Sequence, residues 1–354
     1  MSLLKHHTLP AFCSLPLLAA IALPAGAVAI NDNLDIGGAV RARIDYDPDR
    51  DIQKLSFDTA FLTTAYNSDS WIGAAKYRFY GDAYPYEYTD KVGDIAFAEY
   101  AWVGYKFDPA HQLQVGLNKI PFGLQPYFGS TFFESLGSVI GLEDIQNLGV
   151  KYIQQQDDWD LQLGYYLHPA DQGEGTSRGG RSYSTSVATA DNYVTDGNDN
   201  HERDIVVGRL ARNLTLGAWQ SEIGASLLTS SLENQDTHDS GRRNALAVHY
   251  MGKNGPWGVQ LQATRQEMTP SNPGSDELVS FGSFDGTFNV AAKGDLYVTD
   301  LSYELPGTFG WFSGVKVYGN YSLFDKDESS FEDSQRFILG TSFSLKDLWI
   351  AVEW

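Results

Sequence analysis

The sequence has 354 residues, a formal net charge of −20 and a single cysteine, Cys13. A chain this acidic repels nucleic-acid phosphates, so we expect no nucleic-acid partner. A lone cysteine also excludes a disulfide bond within the chain.

The N-terminal segment has the three parts of a secretory signal peptide. A short basic start contains Lys5, an apolar stretch follows at 15–23, and a run of small residues occupies 25–29. The apolar stretch is shorter than the roughly 20 residues that a membrane-spanning helix needs. We therefore expect cleavage after Ala29 and a mature chain, residues 30–354, that has lost Cys13.

Residues 34–46 alternate with a period of two. Ile36, Val40 and Ile44 share one parity, whereas Arg41 and Arg43 share the other. Such alternation predicts a β-strand with one apolar and one polar face. The same pattern predicts fifteen strands, most of them near the roughly 9–11 residues that a tilted strand needs to cross a bilayer. They are 34–46, 55–66, 71–80, 95–106, 112–119, 147–154, 159–167, 204–213, 216–230, 243–252, 257–267, 295–305, 313–324, 335–345 and 348–354.

The connections between these strands alternate between short and long. Short turns such as 67–70 and 108–111 are followed by long connections such as 81–94, 120–146, 168–203 and 268–294. This alternation is typical of outer-membrane barrels, which have short periplasmic turns and long external loops. The sequence thus predicts an all-β, antiparallel transmembrane barrel surrounded by outer-membrane lipid and lipopolysaccharide. The composition of loop 168–203 favours an exposed, mobile segment.

Fifteen is an odd number, whereas single-chain bacterial barrels have an even number of strands. We expect a barrel of 16 strands whose last strand is missing because the chain is C-terminally incomplete. A miscounted strand is the alternative.

Charged residues in mid-strand indicate which face of each strand lines the lumen. A Lys or Arg facing lipid near mid-membrane costs roughly 2–4 kcal/mol, so these side chains should point inward. The predicted pore-lining cations are Arg41, Arg43, Lys76, Arg78, Lys151, Arg209, Lys316 and Arg336, and the acids are Asp58, Glu99, Asp160 and Glu222. The predicted outward residues include Phe57, Phe61, Tyr77, Leu163, Val317 and Leu339. Four tryptophans directly follow short turns, and this pattern predicts an interfacial aromatic girdle; they are Trp71, Trp159, Trp219 and Trp257.

Residues 115–125, VGLNKIPFGLQ, resemble the V-G-x-x-K-x-P-F-G-L segment of the phosphate-selective porin O and P family. Further similar stretches are 141–144, 149–152 and 331–335. The resemblance implies a 16-stranded barrel, a homotrimer, and a third loop, residues 120–146, that folds inward to narrow the pore.

Selectivity stays open at this point. Anion selection needs cations at the narrow point, yet loop 120–146 contains no Lys or Arg. It offers Glu134, Glu143 and Asp144, with Lys119 at its base. A general or weakly selective porin for small hydrophilic solutes is favoured, and a phosphate or other oxyanion channel is the first alternative. A sugar channel using Tyr84, Tyr86, Tyr88, Tyr127 and Phe128 is the second, and a closed structural or adhesive barrel belongs to a different class.

Enzyme motifs are missing from the sequence. It has no H-E-x-x-H, P-loop or G-x-S-x-G pattern, and His249, in a strand, has no base or nucleophile brought near it by sequence. We expect no catalytic residue, no metal site and no cofactor.

Overall fold

The computed structural model describes residues 17–49, 51–83, 85–191, 194 and 197–354. Its strands are β1 (Leu17–Asn31), β2 (Leu34–Asp47), β3 (Ile52–Asn67), β4 (Trp71–Tyr80), β5 (Ala96–Lys106), β6 (His111–Lys119), β7 (Gln146–Gln156), β8 (Trp159–Pro169), β9 (Ser186–Val187), β10 (Asn200–Leu216), β11 (Trp219–Asn234), β12 (Ser240–Asn254), β13 (Trp257–Thr269), β14 (Leu278–Ser283), β15 (Gly286–Ala291), β16 (Lys293–Glu304), β17 (Phe312–Lys326), β18 (Ser334–Leu345) and β19 (Leu348–Glu353). Among the described residues there is one helix, α1 (Leu136–Val139). It is neither long nor apolar enough to cross a membrane.

Sixteen of the strands form one antiparallel barrel. Hydrogen bonding connects them in the order β1-β19-β18-β17-β16-β13-β12-β11-β10-β8-β7-β6-β5-β4-β3-β2. Strand β1 pairs with both β2 and β19, so this order closes on itself. All fifteen strands expected from the alternation are present, and the all-β prediction is confirmed.

The identity of the sixteenth barrel strand differs from the expectation. We expected a strand to be missing, but the structure places β1 between β2 and β19. Most of β1 lies within the expected signal peptide, whose residues 1–16 are outside the described part of the chain. Its pairing with β19 covers only Leu18–Ala22, and its ladder with β2 shifts register twice after Ala25. Removal of residues 1–29 stays a prediction.

The outer face of the barrel is apolar and the inner face is polar. On β12, Leu246 and Val248 are 58% and 55% exposed, whereas Ala247 and His249 between and beside them are buried. The four girdle tryptophans each begin a strand, β4, β8, β11 and β13, and these strands run in the same direction. The tryptophans therefore lie at one end of the barrel.

One outward assignment is wrong. Phe61 points inward, because its ring lies beside two of the lumen cations. Lys76 Nζ lies 4.5 Å from the ring centroid and the Arg78 guanidinium carbon 5.8 Å. The β2–β3 ladder skips Asp58, which leaves a bulge between Phe57 and Thr59. A bulge inserts one residue and thereby reverses the parity of every residue that follows it.

Two long loops are folded rather than irregular. Strands β14 and β15 form a hairpin within loop 268–294, and β14 also pairs with β9 from loop 168–203. Ser182, Ser184 and Phe281 in these loops are buried. The expectation that 168–203 is an exposed segment is therefore wrong for its central part, because it packs against another loop that is distant in sequence.

Candidate functional site: the lumen and its inward loop

The third long connection, residues 120–146 between β6 and β7 and hereafter loop 3, lies inside the barrel. Three of its apolar side chains, Phe122, Leu124 and Phe128, are at most 1% exposed. They share one core with inward side chains of the wall such as Leu228 and Leu296. Burial of this much apolar surface holds the loop against β10–β17 and fills that side of the lumen.

The K-x-P-F-G-L segment begins loop 3. Gly123 has a φ of +65°, and a Cβ there would lie 2.3 Å from the Gln262 amide oxygen, so a side chain would be strained and would displace that amide. Its N–H donates to Ser226 Oγ (3.0 Å), and its carbonyl accepts from Arg209 Nε (2.9 Å). The next residue, Leu124, donates its N–H to Gln262 Oε1 (2.8 Å). This part of the motif therefore fixes the start of the loop to the wall.

The tip of loop 3 is held by carboxylates of the opposite wall. Ser130 donates to Asp300 through both its N–H and its hydroxyl. The N–H groups of Phe132 and Phe133 donate to the carboxylate of Glu353. These bonds tie the loop to β16 and β19 and satisfy backbone donors that would otherwise be buried without partners.

The acidic residues of loop 3 lie within the loop's own fold. Glu143 accepts from Phe128 N–H (2.6 Å) and from both the N–H and the hydroxyl of Ser135. Burial raises the pKa of Glu143 to about 7, although these hydrogen bonds favour its charged form. Burial, together with Glu143 and Asp144, also raises the pKa of Glu134 well above its usual value.

Asp144 has a different environment from the two glutamates. It forms an ion pair with Lys119 at the base of the loop and accepts a hydrogen bond from the Tyr183 hydroxyl. The two ends of loop 3 are therefore joined by a charged pair, and Lys119 is not an isolated cation. Its Nζ also lies 4.4 Å from the Tyr127 ring centroid.

An open space of about 630 Å³ remains between loop 3 and the wall formed by β2–β4 and β17–β19, and we call it the passage. Five of the predicted pore-lining cations and two predicted acids line it. These are Arg41, Arg43, Arg78, Lys316 and Arg336, with Asp58 and Glu134.

Ion pairs within the wall offset part of this positive charge. Asp58 pairs with both Arg41 and Arg43, and the latter also pairs with Asp45 at 3.0 Å. Glu99 pairs with Arg78 and, at 2.8 Å, with Lys76.

Arg336 is held differently from the other arginines. Its Nη1 donates to the carbonyls of Glu134 (2.7 Å) and Ser135 (3.3 Å). Within the described part of the chain, no carboxylate lies within ion-pair distance of it, so its charge is not compensated by a direct partner.

Six predicted lumen residues do not line the passage, namely Lys76, Lys151, Arg209, Glu99, Asp160 and Glu222. Arg209 is 2% exposed and lies behind loop 3, where it pairs with Glu222 and with Asp160 at 3.4 Å. Lys151 donates to the Lys119 carbonyl at 2.9 Å. Loop 3 covers this part of the lumen, which the strand pattern alone could not reveal.

A comparison with known families decides the identity. The sequence model of the family described as phosphate-selective porin O and P matches residues 68–284. The chain belongs to this family. It is therefore a porin, a channel-forming β-barrel protein of the outer membrane.

Solved structures of several other proteins are similar to this porin. OmpT of Vibrio cholerae is 11% identical with a TM-score of 0.46, and the channel DcaP of Acinetobacter baumannii is 10% identical with a TM-score of 0.46; each match covers 96% of this chain and 95% of the other. OprB of Pseudomonas putida is 10% identical with a TM-score of 0.48, over 96% and 91%. No curated protein sequence matches the porin.

Besides the carboxylates Asp300 and Glu353 that hold the tip of loop 3, the strand pattern of this porin did not predict two groups of residues. Arg243, buried on β12, donates to the carbonyls of Ile140 (2.9 Å) and Gly141 (2.8 Å) and pairs with Glu202. It is the first residue of the predicted strand 243–252 and the fourth residue of β12, so a rule for charges in mid-strand does not reach it. The second group is a set of aromatic side chains lining the passage, which includes Phe132, Phe133 and Trp349. Aromatic residues occur on both faces of barrel strands, so no sequence signal separates these.

The aromatics suggested for a sugar channel are dispersed in the structure. Tyr86 and Tyr127 line the passage, whereas Phe128 is part of the loop core. Tyr88 donates to Asp285 in the β14–β15 turn, and Tyr84 lies outside the described residues. In the described ranges, no group of three or more His, Cys, Asp and Glu side chains is arranged to hold a metal ion.

Proposed function

We propose that this porin allows passive diffusion of small hydrophilic solutes through the passage and prefers anions. The supporting observation is the charge of the passage wall, where five cationic side chains face two acidic ones. Rings of cationic side chains at a narrow point favour anions. The overall acidity of the chain, at −20, is not the relevant quantity, because a permeating ion is close only to the groups that line its path.

Arg336 contributes most to this preference. Its guanidinium has two backbone carbonyls but no carboxylate as direct partners within the described ranges. Two unit charges about 4 Å apart interact by about 4 kcal/mol at an effective dielectric constant of about 20. One uncompensated cation of this kind is enough to favour an anion over a cation in the passage.

The loop acids oppose this preference only weakly. Burial raises the pKa of Glu143 to about 7 and that of Glu134 well above its usual value, which disfavours the charged form of each. The remaining loop acid, Asp144, is paired with Lys119. An acidic loop therefore does not make the passage cation-selective.

We propose that the porin is a homotrimer in outer-membrane lipid and lipopolysaccharide, and that signal peptidase removes residues 1–29. Native electrophoresis and N-terminal sequencing of the protein extracted from outer membranes test these two statements.

The selectivity proposal is tested by recording from the full gene product in a planar bilayer. The zero-current potential in a potassium chloride gradient should have the sign of an anion-preferring channel. The Arg336→Gln variant should lower the chloride-to-potassium permeability ratio by a factor of about two or more. Arg242→Gln removes an exposed arginine outside the passage and should leave the ratio unchanged.

Cation preference in the unsubstituted channel would overturn the proposal. Absence of any conductance from correctly folded protein would instead favour a closed structural or adhesive barrel.

A further inference from the structure

Three aromatic rings form a continuous surface on one side of the passage. The Phe132 ring centroid lies 5.2 Å from that of Phe133 and 6.0 Å from that of Trp349, which projects inward from β19. All three side chains line the passage. We call this surface the aromatic shelf.

The shelf is not part of the hydrophobic core of loop 3. Phe122 and Phe128 of the same loop are 1% exposed, whereas Phe133 is 37% exposed. The carboxylate of Glu353 fixes the backbone N–H groups of both Phe132 and Phe133, which holds their rings at the edge of the passage. Apolar surface that a structure keeps accessible inside a polar lumen is typical of a ligand-contacting surface.

Cationic groups border the shelf directly. The Arg41 guanidinium carbon lies 4.9 Å from the Phe132 ring centroid. Arg336 donates to the carbonyl of Glu134, the residue that follows Phe133, and Arg43 lines the same space. The passage thus combines an apolar planar surface with guanidinium groups at its edge.

We infer, on the basis of the anion preference proposed above, that the preferred solutes are aromatic carboxylates. The ring of such a solute stacks on the aromatic shelf, and its carboxylate pairs with Arg41 or Arg336. Stacking removes apolar surface from water on both partners. The guanidinium groups provide the bidentate geometry that a carboxylate accepts.

Other solute classes use only half of this arrangement. A hydrated inorganic oxyanion such as phosphate gains nothing from the rings and loses water next to them. A neutral sugar stacks on aromatic rings but leaves the guanidinium charges unused. An aliphatic carboxylate such as acetate pairs with an arginine but covers little of the shelf.

The experiment measures block of the chloride current through single channels of the full gene product. Benzoate, acetate, inorganic phosphate and the neutral benzyl alcohol are added in separate titrations at constant ionic strength. We expect benzoate to reach half-block at a concentration about fivefold or more below those of acetate, phosphate and benzyl alcohol.

Two variants locate the effect. Phe132→Leu keeps an apolar side chain but removes the ring, and it should raise the half-blocking concentration of benzoate to that of acetate. Trp349→Leu should act in the same direction and replaces the first variant if that one fails to fold. Phe337→Leu is the matched control, because Phe337 is on the outer face of β18 and 61% exposed. It should leave all four titrations unchanged.

The outcomes separate this inference from the proposed function. If benzoate blocks no better than acetate while the zero-current potential still indicates anions, the inference is wrong and the anion preference stands. Equal block by benzyl alcohol, or unchanged benzoate block in Phe132→Leu, also overturns it. A zero-current potential that indicates cations removes the proposed function itself.

Discussion

Asp300 of β16 accepts both hydrogen bonds that Ser130 offers, one from the N–H and one from the hydroxyl, each 2.9 Å long. Asp300 is fully buried on the inner wall, and Ser130 is at the tip of loop 3. The width of the passage thus depends on a carboxylate of the opposite wall.

Removing this carboxylate should release the loop tip. The variant Asp300→Ala leaves the Ser130 N–H without its acceptor, which costs about 1–3 kcal/mol for a buried donor. We expect larger and noisier single-channel conductance, because the tip moves away from the wall. Asp325→Ala, at an exposed position of β17, is the control. Unchanged conductance in Asp300→Ala would show that the apolar core alone holds the loop.

Arg243 should matter for stability more than for conductance. Its pair with Glu202 is buried, and breaking such a pair by removing one partner costs about 3–5 kcal/mol. We expect Arg243→Met to lower markedly the temperature at which the folded form disappears on gels of heated samples. The double variant Arg243→Met with Glu202→Gln should recover part of this decrease in temperature.

The exposed pair Arg203–Glu233, linked at 2.7 Å, provides the comparison. Exposed ion pairs contribute about 0–1 kcal/mol, so Arg203→Met should change the transition little. Equal effects of the two single variants would contradict the assignment of Arg243 as an anchor of loop 3.

Loop 3 should become less stable as pH rises toward neutrality. The pKa of Glu143 is raised from its ordinary value of 4.5 to about 7, so the folded loop binds more protons than an unfolded one between these pH values. By linkage, the stabilisation is complete below about pH 4.5, is lost as pH rises to about 7, and is constant above that.

Hydrogen exchange measures this directly at the Phe128 and Ser135 amides, which donate to Glu143. Their protection factors should fall across that pH range in the unsubstituted protein. Glu143→Gln should show a flat profile. Protection that increases with pH would mean that the hydrogen bonds to the carboxylate outweigh its burial.

The strands could be predicted because each one is determined locally. The high cost of a charged side chain in lipid forces alternation within every strand, and Ile36, Arg41 and Ile44 illustrate it. The inward fold of loop 3 was expected from the resemblance of residues 115–125 to a known family. Neither expectation needed knowledge of contacts between distant parts of the chain.

Other features depend on contacts between distant parts of the chain. The inward position of Phe61 results from a bulge in β3 opposite β2. The pairing of β9 with β14 joins two loops, and the periodicity of a single strand does not predict such a pairing. Arg209 has the sequence signature of a pore-lining residue, but loop 3 covers it. The aromatic shelf likewise brings together Phe132 and Trp349 from a loop and a strand far apart in sequence.

We propose that solutes pass between loop 3 and the wall of β2–β4 and β17–β19. A Cys13→Ser background has no other cysteine, so single cysteines can be introduced and treated with a sulfonate-bearing methanethiosulfonate. Thr131 lines the passage, whereas Ser226 lies behind loop 3 and accepts from Gly123.

We expect the reagent to lower the conductance of Thr131→Cys channels by about half or more, together with their anion preference, and to leave Ser226→Cys channels unchanged. Loss of current in Ser226→Cys channels, with none in Thr131→Cys channels, would place the path on the other side of the loop and contradict the account.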